Sequence, residues 1–309
     1  MPIATRTLHL MGTVITLWVQ AEEADTLLDQ AEATLIEDEH RFSANADDSD
    51  LAAVNRAAGV QPVAVAPDLF ALIRIGREQS LVPHSALDIA IGPLVQTWRI
   101  GFANARHPDA AEIAAKLPLV DPAAIELDEA ARTVFLPVPG MKLDLGALAK
   151  GFFADQITAM WQTAGATAGF IDLGGNVKTF GQAPDHEDGA WRVGIQNPFL
   201  PRGNQALTLR IQDRSLVTSG IYERSLTWHG RRFHHVLDRH TGYPIATDLA
   251  SITIVSAQSL DGELWTTHLF ATPAAAIIAR LNQVPDLDAV VITQAGDMAM
   301  TDGLKGLVV

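Results

Sequence analysis

The sequence predicts an α+β fold, and three observations point to it. Short apolar runs come in pairs separated by turn residues, as in 125–127 with 133–136, which is the pattern of antiparallel hairpins. Long helical stretches fall between groups of hairpins and do not alternate one for one with strands, which disfavours a doubly wound parallel sheet. No low-complexity linker interrupts the 309 residues, so residues 1–309 are expected to form one packed unit with no flexible tether. With 48% hydrophobic and 19% charged residues, the chain can bury a substantial core.

The elements follow in order. MGTVITLWVQ alternates through Thr13, Ile15, Leu17 and Val19, which is a strand pattern. From Glu22 to about His40, Ala24, Leu28, Ala31 and Leu35 share one face of an acidic amphipathic helix. A polar loop leads to Ser49, the expected cap of a short helix that ends at Gly59. Pro67-Asp68 opens another helix with Leu69, Leu72, Ile73 and Gly76 inward. SALDIAIGPLVQTW is apolar, interrupted at Gly92-Pro93, with Asp88 as its only charge. A small helix begins at His107-Pro108. LDLGALAKGFFAD runs from a strand end at Asp144 through a Gly-Ala turn into a helix expected near Gly146, with Leu148, Phe152, Gln156 and Met160 at spacings of four. AGATAG, which ends that helix, reads as a C-cap turn. Beyond it, GFIDLGG, residues 191–195 and 206–211, and SITIVSA read as strands, GELWTTHLF and 273–282 as helices, and 289–292 and 298–300 as closing strands.

Composition excludes several classes of function. A formal charge of −14 argues against a nucleic-acid or anionic-membrane surface, which needs an excess of Lys and Arg. Without cysteine there can be no disulfide, thiolate metal site, iron–sulfur cluster or cysteine nucleophile. MPIATRTLHLMGT has polar residues where a signal peptide needs a continuous apolar run, and no membrane span is present. A soluble, cytoplasmic protein is expected, or a periplasmic one if an export segment was trimmed.

Four stretches could carry chemistry. Asp144 and Lys150 flank a strand-to-helix turn whose first amides are unpaired, which suits a phosphate-bearing ligand; an ordinary buried corner with a snorkelling lysine would look the same. Asp172-Leu173-Gly174-Gly175-Asn176 allows close backbone approach to a ligand, or simply a tight turn. Thr218-Ser219-Gly220 at a strand end could bind a phosphate or a ring edge, or form a plain turn. Glu263 and Thr267 lie one helical turn apart, a hard-oxygen pair suited to Mg²⁺ or else a solvated face. His234 and His235 are candidate proton-transfer groups, and strand alternation sends them to opposite sides.

The segments MGT, DSDLAAVN, ALDIAIGPLVQTW, LDLGALAKGFFAD, IDLGGN, VTSGIYER, HHVLDRHTGYP and GELWTTHLF occur in an order that resembles the FAD:protein FMN transferases, the ApbE family of Mg²⁺-dependent flavin transferases. The resemblance extends from about Met11 to about Phe270. It implies a T-fold-like architecture of two related, packed halves with antiparallel sheets and helices. It also implies transfer of FMN from FAD to a threonine hydroxyl of an acceptor protein, with release of AMP. The acceptor would carry a motif of the type Asp/Ser-Gly-Ala/Ser-Thr. By the same resemblance, Met11, Ala86, Leu87, Asp88, Asp144, Lys150 and Val236 match flavin-nucleotide contacts, with Gly174 and Ser219 beside them. The main chain of Ala147, with Glu263 and Thr267, matches the Mg²⁺ site, Mn²⁺ being the alternative ion and Thr266 a further ligand; His235 matches the base.

Three departures from the family pattern stand out. Glu263 replaces a usual Asp, Asn45 stands where an aromatic often stacks on the flavin, and Ile89-Ala90 and Arg239 replace common prolines and a threonine. Two rivals share the same residues: hydrolysis of FAD to FMN and AMP, and FAD binding without catalysis.

Overall fold

A computed structural model describes all 309 residues. Strands β1 (Ile3–Leu10) and β2 (Thr13–Gln20) lead into α1 (Ala24–Arg41), α2 (Asp50–Arg56), β3 (Val63–Ala64) and α3 (Pro67–Ser80). Next come α4 (Gly92–Trp98), α5 (Ala110–Lys116), β4 (Glu126–Asp128), β5 (Thr133–Phe135) and α6 (Ala149–Thr163). Strands β6 (Ala168–Leu173), β7 (Asn176–Phe180), β8 (Trp191–Gln196), β9 (Gln205–Ile211), β10 (Ser215–Gly220), β11 (Ser225–Trp228), β12 (Arg231–His234) and β13 (Leu249–Ser256) follow. The chain closes with α7 (Ser259–His268), α8 (Ala274–Leu281), β14 (Asp288–Thr293) and β15 (Met298–Met300).

The frame is an eight-stranded sheet in the order β1-β2-β6-β7-β10-β13-β14-β15, antiparallel at every pairing. Ile15, Leu17 and Val19 of β2 pack with Leu28 of α1 and Phe153, Ile157 and Trp161 of α6 in the largest core. Ile252 and Ile254 of β13 meet Ile277 and Leu281 of α8 in a second. On the opposite face, Val255 and Leu216 pack with Val193, Ile195 and Leu209 of the β8–β9 hairpin. Strand β13 is therefore covered on both sides, and all of its residues are buried, Ser251, Thr253 and Ser256 among them. No helix is long and apolar enough to cross a membrane.

The structure differs from the sequence reading in four places. Strand β1 was not anticipated: it is an edge strand with a single buried residue, Leu8, so it shows no apolar alternation. Gly92-Pro93 opens α4 and does not interrupt an element, since proline is tolerated in a first helical turn. The α5 helix begins at Ala110 with Asp109 as its cap, past His107-Pro108. Helix α6 begins at Ala149, because the Asp144 carboxylate accepts the Gly146 N–H (2.9 Å) and Leu145 closes a turn with Leu148 and Ala149 first. Its buried face is Gly151, Phe153, Ala154, Ile157, Thr158 and Trp161, one position away from the expected stripe, because Gly151 faces α7. The other end of α6 closes as expected. Gly165 (φ 82°) follows the C-cap, and the amides of Gly165 and Ala166 donate to Gln162 and Trp161 in a Schellman turn.

Candidate active site

A cavity of about 1200 Å³ opens where the β1–β2 turn, the start of α6, the β6–β7 turn, the end of β10 and the chain after β12 converge. Met11, Asn45, Ala86, Leu87, Asp88, Asp144, Ala147, Lys150, Gly174, Ser219, His235, Val236, Glu263 and Thr267 all line it. Thr266 does not. It is fully buried, its hydroxyl donates to the Glu263 carbonyl (3.1 Å) and accepts from Ser219 (3.0 Å), and so in place of a ligand role it ties α7 to β10.

Local backbone chemistry fixes the rim. Leu10 pairs with Thr13 across the two-residue turn Met11-Gly12, both with positive φ (55° and 68°), as a type I′ hairpin requires. The Glu39 carboxylate accepts the Met11 N–H and holds this non-glycine residue in the left-handed region. Across the cavity, Asp172 accepts the Gly175 N–H (2.6 Å), so the paired glycines form a tight turn that also faces the site. The Asp144 amide donates to Ile89 (2.8 Å), joining the α6 corner to the Ala86–Asp88 segment. Asp88 itself is nearly fully buried: it caps the turn at Ala90 (2.8 Å) and pairs with Arg239 (3.4 Å). Burial pushes its carboxyl up to about 6, against the pull of the Ala90 amide and of Arg239.

Lys150, in the first turn of α6, is the central positive charge. Burial raises the pKa values of Glu263 and Asp172, and in both cases the Lys150 ammonium opposes it. The Asp144 carboxyl is likewise raised by burial and opposed by the Gly146 amide and Arg224. Glu263 is 5% exposed; its carboxylate accepts from Asn176 Nδ2 (2.8 Å), and the Gly151 amide of α6 faces it. Asn176 is oriented in turn by the Ser259 hydroxyl (2.6 Å). The approach of α7 to α6 depends on Gly151, where a Cβ would lie 2.7 Å from the Ser259 carbonyl oxygen and 2.8 Å from Glu263 Cγ. Glu263, Thr267 and Ala147 all line the cavity. Nowhere in the chain do three His, Asp or Glu side chains converge as a metal cluster. A cation held here would draw on one carboxylate, a hydroxyl, a carbonyl and substrate oxygens, which suits Mg²⁺ and does not suit zinc.

The two histidines separate cleanly. His234 Nε2 is 3.0 Å from the Ile245 carbonyl and its Nδ1 accepts from the Val236 amide (3.3 Å), so neither nitrogen is free, and it does not line this cavity. His235 lines the cavity, and its Nδ1 is 3.3 Å from the Arg224 carbonyl. A carbonyl can only accept, so Nδ1 carries the hydrogen and Nε2 is left basic. Burial, then the Arg224 charge, pushes the His235 pKa down to about 4, so the ring is neutral near pH 7.

Sequence reasoning assigned no role to Arg224, Tyr222, Phe102, Glu39 or Arg202, which also line the cavity. Tyr222 and Arg224 fall inside the VTSGIYER segment, so their neighbourhood was visible though their roles were not. Asn45 is exposed at the rim and accepts from Arg99 Nη1 (3.2 Å), whose guanidinium lies 4.3 Å over the Phe102 ring.

The family model described as the ApbE family matches residues 11–291. The chain belongs to the ApbE family. A Klebsiella pneumoniae protein named FAD:protein FMN transferase is 39% identical over 292 residues, spanning 94% of this chain and 90% of its own. A Treponema pallidum protein of the same name is 37% identical over 282 residues, spanning 88% and 76%. Among solved structures, the ApbE protein of Thermotoga maritima superposes with a TM-score of 0.88 at 22% identity, covering 98% of both chains. The flavin transferase ApbE of Vibrio cholerae gives 0.83 at 22% identity, covering 99% of both. The architecture is therefore the α+β ApbE fold.

Proposed function

We propose that this protein transfers FMN from FAD to a threonine hydroxyl of an acceptor protein, with Mg²⁺ as its metal, releasing AMP. The observation that carries the reading is the convergence of a neutral, tautomer-fixed His235 with Lys150 and the Glu263–Thr267–Ala147 oxygens in one cavity, in a chain 39% identical to a protein of that name. His235 Nε2 takes the proton of the threonine Oγ as that oxygen bonds to the FMN phosphorus and the pyrophosphate P–O bond to AMP breaks. Lys150 and the first amides of α6 offset charge on the departing AMP phosphate. When bound, Mg²⁺ supplies neutralisation of pyrophosphate charge. Glu263, Thr267 and the Ala147 carbonyl would hold it. The cavity walls orient the diphosphate and leave the acceptor side to be closed by the incoming polypeptide, which must exclude water.

The test uses the whole chain with FAD and Mg²⁺, or Mn²⁺ in its place, with and without a synthetic peptide containing Asp-Gly-Ala-Thr. Transfer is expected to yield AMP and an equal amount of FMN on the peptide threonine by mass spectrometry. AMP with free FMN and no adduct would identify a hydrolase, and bound FAD with no AMP under any condition would identify a binding protein.

A further inference from the structure

A second cavity, of about 550 Å³, lies on the far side of the two histidines, lined by His234 where the first is lined by His235. Tyr222 forms part of the wall of both. On one side the second cavity is bounded by β12 and on the other by the segment Pro244–Thr247. These two stretches touch just beyond, where Ile245 N–H donates to Val236 and Leu237 bridges Pro244, and the gap lies where they diverge.

The β11–β12 hairpin stands outside the main sheet, and β12 pairs only with β11. Its turn, His229-Gly230, has two residues with positive φ (48° and 74°), so Trp228 and Arg231 form the hydrogen-bonded closing pair. Antiparallel alternation then directs the main-chain N–H and C=O of Arg232 and His234 away from β11, leaving an unpaired strand edge. Charge adds a second constraint. No Asp or Glu lines this cavity, yet Arg231 and Arg232 do, and neither has a carboxylate partner in a chain of formal charge −14. Arg231 sits 5.1 Å over the Phe233 ring, and Arg232 reaches only the Tyr222 carbonyl, at 3.4 Å. Phe199, 55% exposed, adds an apolar wall.

We infer that the free edge of β12 and this cavity dock an extended, acidic segment of the acceptor polypeptide, which adds as a strand and carries its threonine past Tyr222 to His235. The inference rests on the transferase reading given above. Main-chain pairing with residues 232 and 234 supplies affinity without demanding a fixed sequence, while the two arginines select acidic flanks. The register ends at residue 234, because the Val236 carbonyl already accepts from Ile245 N–H, and the docked chain leaves the edge there along Tyr222, which walls both cavities.

The test compares two peptides with a common Asp-Gly-Ala-Thr core, one flanked by three glutamates and one by three lysines, on the parent and on the double variant Arg231→Glu/Arg232→Glu. The parent is expected to show a KM about tenfold lower for the acidic peptide. The variant should raise that KM by about tenfold or more, with kcat at saturation, FAD affinity and AMP release into water unchanged. Binding of the fluorescein-labelled acidic peptide, read by anisotropy without FAD, examines the dock independently of chemistry. The parent should bind it, and both the variant and a peptide with alternate amides N-methylated should lose binding. Equal affinity of parent and variant for the acidic peptide, or no binding to the parent, overturns the dock. A parent that binds the peptide but never modifies it leaves the dock standing and overturns the transferase reading.

Discussion

His234 and His235 are adjacent in sequence, and hydrogen bonding decides which of them can move a proton. Because both nitrogens of His234 are engaged with backbone groups, His235→Ala should lower transfer about 100-fold or more, the usual worth of a placed base, with FAD affinity within a few-fold. His234→Ala should cost far less kcat, and a larger loss there than at His235 would overturn the assignment. The depressed His235 pKa also sets a pH dependence. In the free protein the ring loses its proton near pH 4, so the acid limb of kcat/KM should fall near there. Bound diphosphate places negative charge beside Lys150 and Arg224, so the acid limb of kcat should shift to higher pH, and identical limbs in the two profiles would contradict this. At the metal side, Glu263 already fills its place with the Asn176 amide bonded to it. Shortening it as Glu263→Asp should weaken Mg²⁺ activation despite restoring the usual family residue. Glu263→Gln should abolish Mg²⁺-dependent AMP release while the far-UV circular dichroism and Tm persist; parent-rate release would turn attention to Asp261. Residue spacing revealed the pairing of Glu263 with Thr267, since i and i+4 share a helix face. It could not reveal that Thr266 turns inward, because that depends on where β10 packs.

The pairing of α6 with α7 assembles the site. The Asp155 carboxylate of α6 accepts the Ser259 and Leu260 amides (2.8 and 2.9 Å), capping the start of α7 from outside, and Gly151 sets the distance between the helices. Gly151→Ala would drive a methyl group into Ser259 and Glu263, so it should cost about 1–3 kcal/mol of stability, as overpacking does. Its effect on Mg²⁺-dependent turnover should exceed that on FAD affinity, because α7 carries Glu263 and Thr267; unchanged melting and turnover would show that α7 can slide without penalty. Elements that bury one face, such as α1, α3 and β2, were legible because apolar periodicity records burial directly. The start of α6 was displaced because an Asx turn used the residues a helix pattern would have claimed, and β1 was invisible because an edge strand has little to bury.

At the scale of the whole molecule, buried acids and buried histidines pull stability in opposite directions with pH. Burial raises Asp38 from the ordinary 3.8 to about 7, and one of its oxygens, Oδ2, has no partner. Between those values the folded chain holds a proton that the unfolded chain releases, so this contribution to stability falls as pH rises. Burial lowers His235 and His268 from 6.5 to about 4, so over that window the folded chain has released protons that the unfolded chain keeps, and their contribution rises with pH. Between pH 4 and 6.5 the two histidines and Asp38 pull against each other, so Asp38→Asn should make the Tm climb more steeply with pH in that window than it does in the parent; a variant that keeps the parent slope would exonerate Asp38. The sheet order has one more consequence. Lys150 and the Asp144 corner belong to the first half of the chain, whereas Glu263 and Thr267 arrive only after β13 has taken its place beside β10. A ribosome that has finished β13 has made the nucleotide corner, the lysine and the histidine but no carboxylate to anchor a cation. On the proposed function the unfinished chain would lack the carboxylate that holds the cation, and that group arrives with the last fifth of synthesis, together with the strands that complete the sheet.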